Sequence, residues 1–105
     1  MKYEIRYTEI FSKWARKLPD EAAKARVQAR IVRLETGNFG DVSPVGNGIS
    51  ELRIHYGPGY RVYFGTHGKY VVLLLCGGDK STQNQDILRA KQLFAEIKKN
   101  EHKII

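Results

Sequence analysis

Five side chains able to act on a phosphate crowd into residues 51–80 of this 105-residue chain. Arg53, His55, Arg61 and Tyr63 occupy alternate positions of two short runs, and Lys80 follows a glycine pair just after a third. Leu52, Ile54 and Tyr56 alternate with Glu51, Arg53 and His55, the period of two expected for a half-buried strand. After Gly57-Pro58-Gly59, Tyr60, Val62 and Phe64 alternate with Arg61, Tyr63 and Gly65. A two-residue turn at Pro58-Gly59 would set Tyr56 against Arg61, an apolar row against a polar one. A three-residue connection with Tyr56 opposite Tyr60 is expected instead, because a one-residue slip sends a whole strand's side chains to the wrong face. That register puts Arg61 across from His55 and Tyr63 across from Arg53, all on one face of one hairpin.

Such a cluster suits metal-free cleavage of RNA. The 2′-hydroxyl must lose a proton and attack in line, positive groups must hold the crowded phosphorane, and the 5′-oxygen must gain a proton as it leaves. Arginine offers a fixed fork to the phosphate, and His or Tyr can move protons. The plain alternative is that Arg53 and Arg61 simply pair with Glu51 and other acids across the sheet. No glycine-rich phosphate loop, metal-ligand spacing or nucleophile elbow is visible, so neither metal nor cofactor is expected. Gly77-Gly78-Asp79-Lys80 before a helix could receive an anion at the helix start, although a glycine pair ending a strand is commonly just a turn.

The elements that must carry these groups follow from periodicity. Residues 2–7 alternate as a first strand. Thr8 can cap a helix bearing Ile10, Phe11, Trp14 and Leu18, with Trp14 read as core. Pro19 ends that helix and Asp20 caps the next, whose buried stripe is Ala23, Val27, Ile31 and Leu34. Arg26, Arg30 and Arg33 lie on another face of it, as RNA-binding candidates or as a solvated row. Residues 37–48 read as the one long loop. Residues 69–76 are apolar on both parities, as in an inner strand covered on both faces, and the lone Cys76 reads as a small core residue there. Thr82 with Gln85 suits a capping box for a last helix, buried through Ile87, Ala90, Phe94 and Ile97. The polar tail, residues 100–105 with Ile104-Ile105, is frayed or used by a partner.

Composition narrows the partner. Eighteen Lys and Arg against eleven Asp and Glu give a formal charge of +7 and a pI of about 9.7. A small basic domain most often meets a polyanion or an acidic protein, the alternative being a solvated basic surface. The length suits a single domain, 1–105. No leader is visible at the start and no apolar run approaches the ~20 residues of a membrane span, so a cytoplasmic protein with no membrane partner is expected.

At this point the chain resembles a known group. GNFGDVSPVGNGISELRIHYGPGYRVYF followed by LLLCGGDKSTQNQDI is similar to the phage-derived, HigB-like "addiction module killer" branch of the RelE/ParE toxin superfamily, along essentially the whole chain. The resemblance implies an α+β, RelE-like fold: a twisted, mainly antiparallel sheet of about four strands, an N-terminal helical hairpin on one face, and a C-terminal helix. It implies the toxin of a type II toxin–antitoxin pair, with a cognate antitoxin of helix-turn-helix type, and with the ribosome and mRNA as further partners. RelE-type relatives cut mRNA in the ribosomal A site. By the same resemblance Arg61 matches the strand arginine on the scissile phosphate, and Arg53 and Lys80 match further basic positions. Tyr63 could stack on a base or hold a proton. Relatives often place the general base near the C-terminus; Lys98, Lys99 and His102 offer no equivalent, and His55 takes that role. The alternatives are a ParE-like, non-enzymatic inhibitor of DNA gyrase, or a module active only as co-repressor with its antitoxin.

Overall fold

In the computed structural model, which describes residues 2–100, short polar side chains decide where the helices begin. Thr8 follows strand β1 (Glu4–Tyr7) and opens helix α1 (Glu9–Arg16). Its hydroxyl accepts from the Phe11 N–H at 3.0 Å and donates to the Leu75 carbonyl at 2.6 Å, so one side chain caps the helix and pins it to the sheet. Asp20 does the capping for helix α2 (Glu21–Glu35), accepting from the Ala23 N–H at 2.6 Å. The expected stripe of Ala23, Val27, Ile31 and Leu34 is buried throughout.

Five strands form one open sheet. To β1 are added β2 (Val42–Gly46), β3 (Ile49–Ile54), β4 (Tyr60–His67) and β5 (Val71–Gly78), in the order β1-β5-β4-β3-β2. Only the β1–β5 pair is parallel; the other neighbours are antiparallel. A 3-10 turn (Lys80–Thr82) then leads into helix α3 (Gln83–Lys99). Helices α1 and α2 cover one face, closing over Leu52, Ile54, Tyr60, Val62, Phe64, Val72 and Leu74. Helix α3 covers part of the other, packing Ala90 and Phe94 on Ile49, Tyr63, Leu75 and Cys76. Leu75 is an extra residue between the Phe64–Leu74 and Tyr63–Cys76 pairs, and this bulge turns Cys76 toward α3. Burial there pushes the Cys76 thiol up to about 12, which keeps it protonated and inert, as its core reading anticipated.

Several expectations need correction. The sheet has five strands, not about four, because Val42–Gly46 within the presumed loop pairs with β3. The β3–β4 register is two residues from the one expected: Ile54 pairs with Tyr60, Arg53 with Arg61 and Glu51 with Tyr63. Strand β3 ends at Ile54, and residues 55–59 form a wider connection in which the Gly59 N–H donates to the Tyr56 carbonyl at 3.1 Å. An offset of two preserves the faces, so Arg53, Arg61 and Tyr63 still share one. The capping box is made by Asp79 and Thr82 on the 3-10 turn; Thr82 makes no side-chain cap to α3. His102 and the Ile104-Ile105 pair lie outside the described residues.

Gly77 and Gly78 are the last residues of β5 rather than a turn. Gly77 lets α1 approach: a Cβ built there would stand 2.3–2.5 Å from the Trp14 ring. Trp14 in turn packs on Phe11 and edge-on against Tyr60. Gly77→Ala therefore overpacks this contact and should cost about 1–3 kcal/mol. Urea unfolding followed by Trp14 fluorescence checks it, and an unchanged midpoint would show that the ring shifts freely.

Candidate active site

Glu51 sits on the polar parity of β3, beyond the part of the face that α3 covers with apolar residues. It is 2% exposed, and three side chains converge on its carboxylate. Arg61 Nη1 donates to one oxygen at 3.1 Å; the Tyr63 hydroxyl and Gln83 Nε2 donate to the other at 3.0 and 2.8 Å. A buried carboxylate is tolerable only when paired and hydrogen-bonded in this way. Arg61 is itself only 12% exposed at its side chain, so the pair is largely withdrawn from water. Tyr63 is completely buried. Burial above all, then Glu51 beside it, raises its phenol above the ordinary range, so it remains a donor to the carboxylate. It cannot stack on a base.

A second carboxylate organises the rim. Asp41 precedes β2, and its backbone carbonyl accepts from the Arg53 N–H at 3.0 Å. Its side chain lies between Arg53, at 3.2 Å, and His55 Nε2. Mainly through the His55 hydrogen bond, and with help from Arg53, the Asp41 carboxyl is held below its usual range despite some desolvation. Arg53 also reaches the Ser43 hydroxyl at 2.8 Å. Arg30 anchors the whole segment, donating to the carbonyls of Arg53, Phe39 and Asp41. With its guanidinium on these three carbonyls, Arg30 acts as a structural clamp.

Beside Asp41 and the Glu51-bound Arg61 lies an open depression of about 660 Å³, lined by Asp41, Arg53, His55, Tyr56, Gly57, Pro58, Gly59, Arg61 and Lys80. Lys80 reaches it because its N–H bonds the Pro58 carbonyl at 3.4 Å, docking the 3-10 turn against the β3–β4 connection. Arg26 reaches the edge, its guanidinium stacked 4.5 Å over the Tyr56 ring. Arg33 is exposed in the last turn of α2 and does not line the depression. Four of the expected groups, Arg53, His55, Arg61 and Lys80, thus meet in one place. Of the residues that hold these groups, Glu51 was expected only as a pairing partner of the arginines, and Asp41 and Gln83 were not anticipated. Glu51 had a signal, its polar parity beside the arginines; Asp41 and Gln83 had none, lying far off in sequence.

The chemistry available is phosphate binding with proton transfer. Arginines whose carboxylate partners fix their position can grip an anion without losing much side-chain freedom, and an exposed His and Lys stand beside them. Glu51→Gln tests the foundation. It leaves Arg61 buried without its counter-charge, which should cost about 3–5 kcal/mol. Tyr63→Phe removes one of three donors and should cost only about 1 kcal/mol. Equal urea midpoints for the two variants would mean that the carboxylate's charge is not what holds the site.

Comparison with known proteins identifies the family and the fold. Residues 13–98 match the family described as phage derived protein Gp49-like (DUF891). An uncharacterized protein of Haemophilus influenzae is 52% identical over 97 residues, spanning 92% of this chain and 98% of its own. Among solved structures, a free E. coli RelE carrying two arginine-to-alanine substitutions superposes with a TM-score of 0.66 at 17% identity, over 82% of this chain and 93% of that one. The E. coli RelBE toxin–antitoxin complex gives 0.62 at 20% identity, over 73% and 95%. The RelE–RelB complex of Pyrococcus horikoshii gives 0.58 at 18% identity, over 76% and 97%. A sequence match over most of its length and a shared architecture agree: the chain belongs to the phage-derived Gp49-like family and has the RelE fold.

Proposed function

We propose that the protein is the toxin of a type II toxin–antitoxin pair, of the HigB-like branch, and that it cleaves mRNA on the ribosome without a metal. The convergence of Arg53, His55, Arg61 and Lys80 on one open depression carries this reading. In it, Arg61 and Arg53 hold the scissile phosphate. His55 takes the proton of the 2′-hydroxyl as the O2′–P bond forms. The P–O5′ bond breaks, and Lys80 gives a proton to the departing 5′-oxygen, leaving a 2′,3′-cyclic phosphate and a 5′-hydroxyl. A gyrase inhibitor needs no such convergence; a supercoiling assay separates the two activities.

The net charge of +7 favours fast association with the ribosome and with an acidic antitoxin, which we place among helix-turn-helix proteins. The similar E. coli RelBE structure is a toxin–antitoxin complex and the Pyrococcus one a RelE–RelB complex, which supports an antitoxin as cognate partner. Co-expression with the neighbouring gene product should give co-purification and restored growth; a neighbour that neither binds nor rescues would contradict the pairing.

Arg61→Ala should slow mRNA cleavage in a translation extract ~10²–10³-fold and relieve growth inhibition. Arg61→Ala leaves Glu51 with its Tyr63 and Gln83 donors but without its counter-charge, at a cost of about 3–5 kcal/mol, so urea unfolding of the variant accompanies the assay. A folded Arg61→Ala protein that cleaves at the normal rate would remove the site from this face. Lys80 is exposed, and Lys80→Ala should weaken ribosome binding with a log–log salt slope shallower by about 0.7–0.9. An unchanged slope would make Lys80 a solvated charge only.

A further inference from the structure

His55 is 77% exposed at its side chain, and an imidazole so placed would ordinarily rotate freely. Here it does not hang alone. Its Nε2 meets an Asp41 carboxylate oxygen, and the other oxygen of that carboxylate meets Arg53 Nε at 3.3 Å. The backbone of Asp41 is fixed independently of its side chain, by the Arg53 N–H at 3.0 Å and by Arg30 Nη2 at 3.4 Å. A carboxylate only accepts hydrogen bonds, so the ring nitrogen facing it must be the one bearing hydrogen. In the neutral ring this leaves Nδ1 as the basic nitrogen.

We propose that Asp41 is a positioning residue for proton transfer by His55, holding the imidazole in its Nε2–H tautomer at the rim of the depression. This rests on the reading of the depression as an RNA-cleaving site. In the step, Nδ1 accepts the 2′-hydroxyl proton as the O2′–P bond forms and the P–O5′ bond breaks. Asp41 stays ionised and faces the imidazolium that results, as the carboxylate does in a Ser-His-Asp triad. Arg53, on the same carboxylate, keeps Asp41 from turning away. Asp41 thus touches neither the substrate nor the reacting atoms.

The test uses the full chain with mRNA-programmed ribosomes in single turnover, varying protein concentration to separate the maximal rate from half-saturation. Asp41→Ala should lower the maximal rate about 10- to 100-fold. Half-saturation should change by less than about 3-fold, the loss lying in the chemical step. Asp41→Asn should not recover the rate: its one amide oxygen faces Arg53, which only donates, so its NH2 meets Nε2 and favours the wrong, Nδ1–H, tautomer. In a His55→Ala background, Asp41→Ala should add no further loss, because the residue acts through the ring. Proton–nitrogen correlation spectra of the free protein should show the Nε2–H tautomer of His55 in the wild type and a mixture in Asp41→Ala. Additive losses, or a tautomer indifferent to the substitution, overturn the role of Asp41 while leaving the nuclease reading standing. A wild-type chain that cleaves no RNA on the ribosome overturns both.

Discussion

The Glu51 carboxylate is buried almost completely, and a lone charge there would be too costly to keep. Its burial is repaid by donors from two elements: Arg61 and Tyr63 on β4, and Gln83 at the start of α3. The same contacts fix three things at once. They set Arg61 on the face of β4 that forms the depression, they give the deeply buried Tyr63 hydroxyl its acceptor, and they join the start of α3 to β3. Pairing and function, which look like competing readings of the arginines, are here the same arrangement. The carboxylates hold the guanidiniums in place, and the proposed function has an anion use them there. The cost is local charge: Asp41 offsets Arg53 and Glu51 offsets Arg61. Long-range attraction must come from the +7 of the whole chain.

Packing on both faces of the sheet protects this arrangement. On one side α1 can come close only where Gly77 has no side chain, beneath Trp14. On the other, α3 comes close over Gly65, where a Cβ would stand 2.6 Å from the Phe94 ring. Strands β3 to β5 are therefore held between two helical layers, and β4, which carries Arg61, lies in the middle of the sheet. The rim is built differently. Strand β2 is an edge, held by its ladder to β3 and by the Arg30 and Arg53 hydrogen bonds. Arg61, proposed to grip the phosphate, thus lies in the middle of the sheet, and His55, proposed to move the proton, lies at the rim beside the edge strand.

Helices α1 and α2 were legible in the sequence because two independent signals agreed at each: a capping side chain at Thr8 or Asp20, and an apolar stripe at helical spacing; α3 was legible from its stripe alone. The faces of β3 and β4 were legible because alternation fixes parity. Register was not, since alternation cannot tell an offset of zero from an offset of two, and Tyr56 looks like strand while lying in the connection. Strand β2 was hidden by Ser43, Pro44 and Gly46, residues poor in strand propensity that an edge tolerates because one side of it makes no ladder. The four cationic and proton-transfer groups of the site were found from parity and position. Of their partners, Glu51 was legible as an acid among the arginines across the sheet, whereas Asp41 to His55 and Gln83 to Glu51 are contacts made by tertiary folding between distant segments.

The central claim is that an RNA phosphate occupies the depression beside Asp41 and the Glu51-bound Arg61. An electron cryo-microscopy map of the protein on a ribosome carrying mRNA methylated at the 2′-oxygen, so that cleavage cannot proceed, tests it most directly. The account predicts a phosphate in hydrogen-bond contact with Arg61 and beside Arg53, with the blocked 2′-oxygen on the side of His55. A ribosome-bound protein that turns this face to solvent, or meets the mRNA only through the arginines of α2, would contradict it.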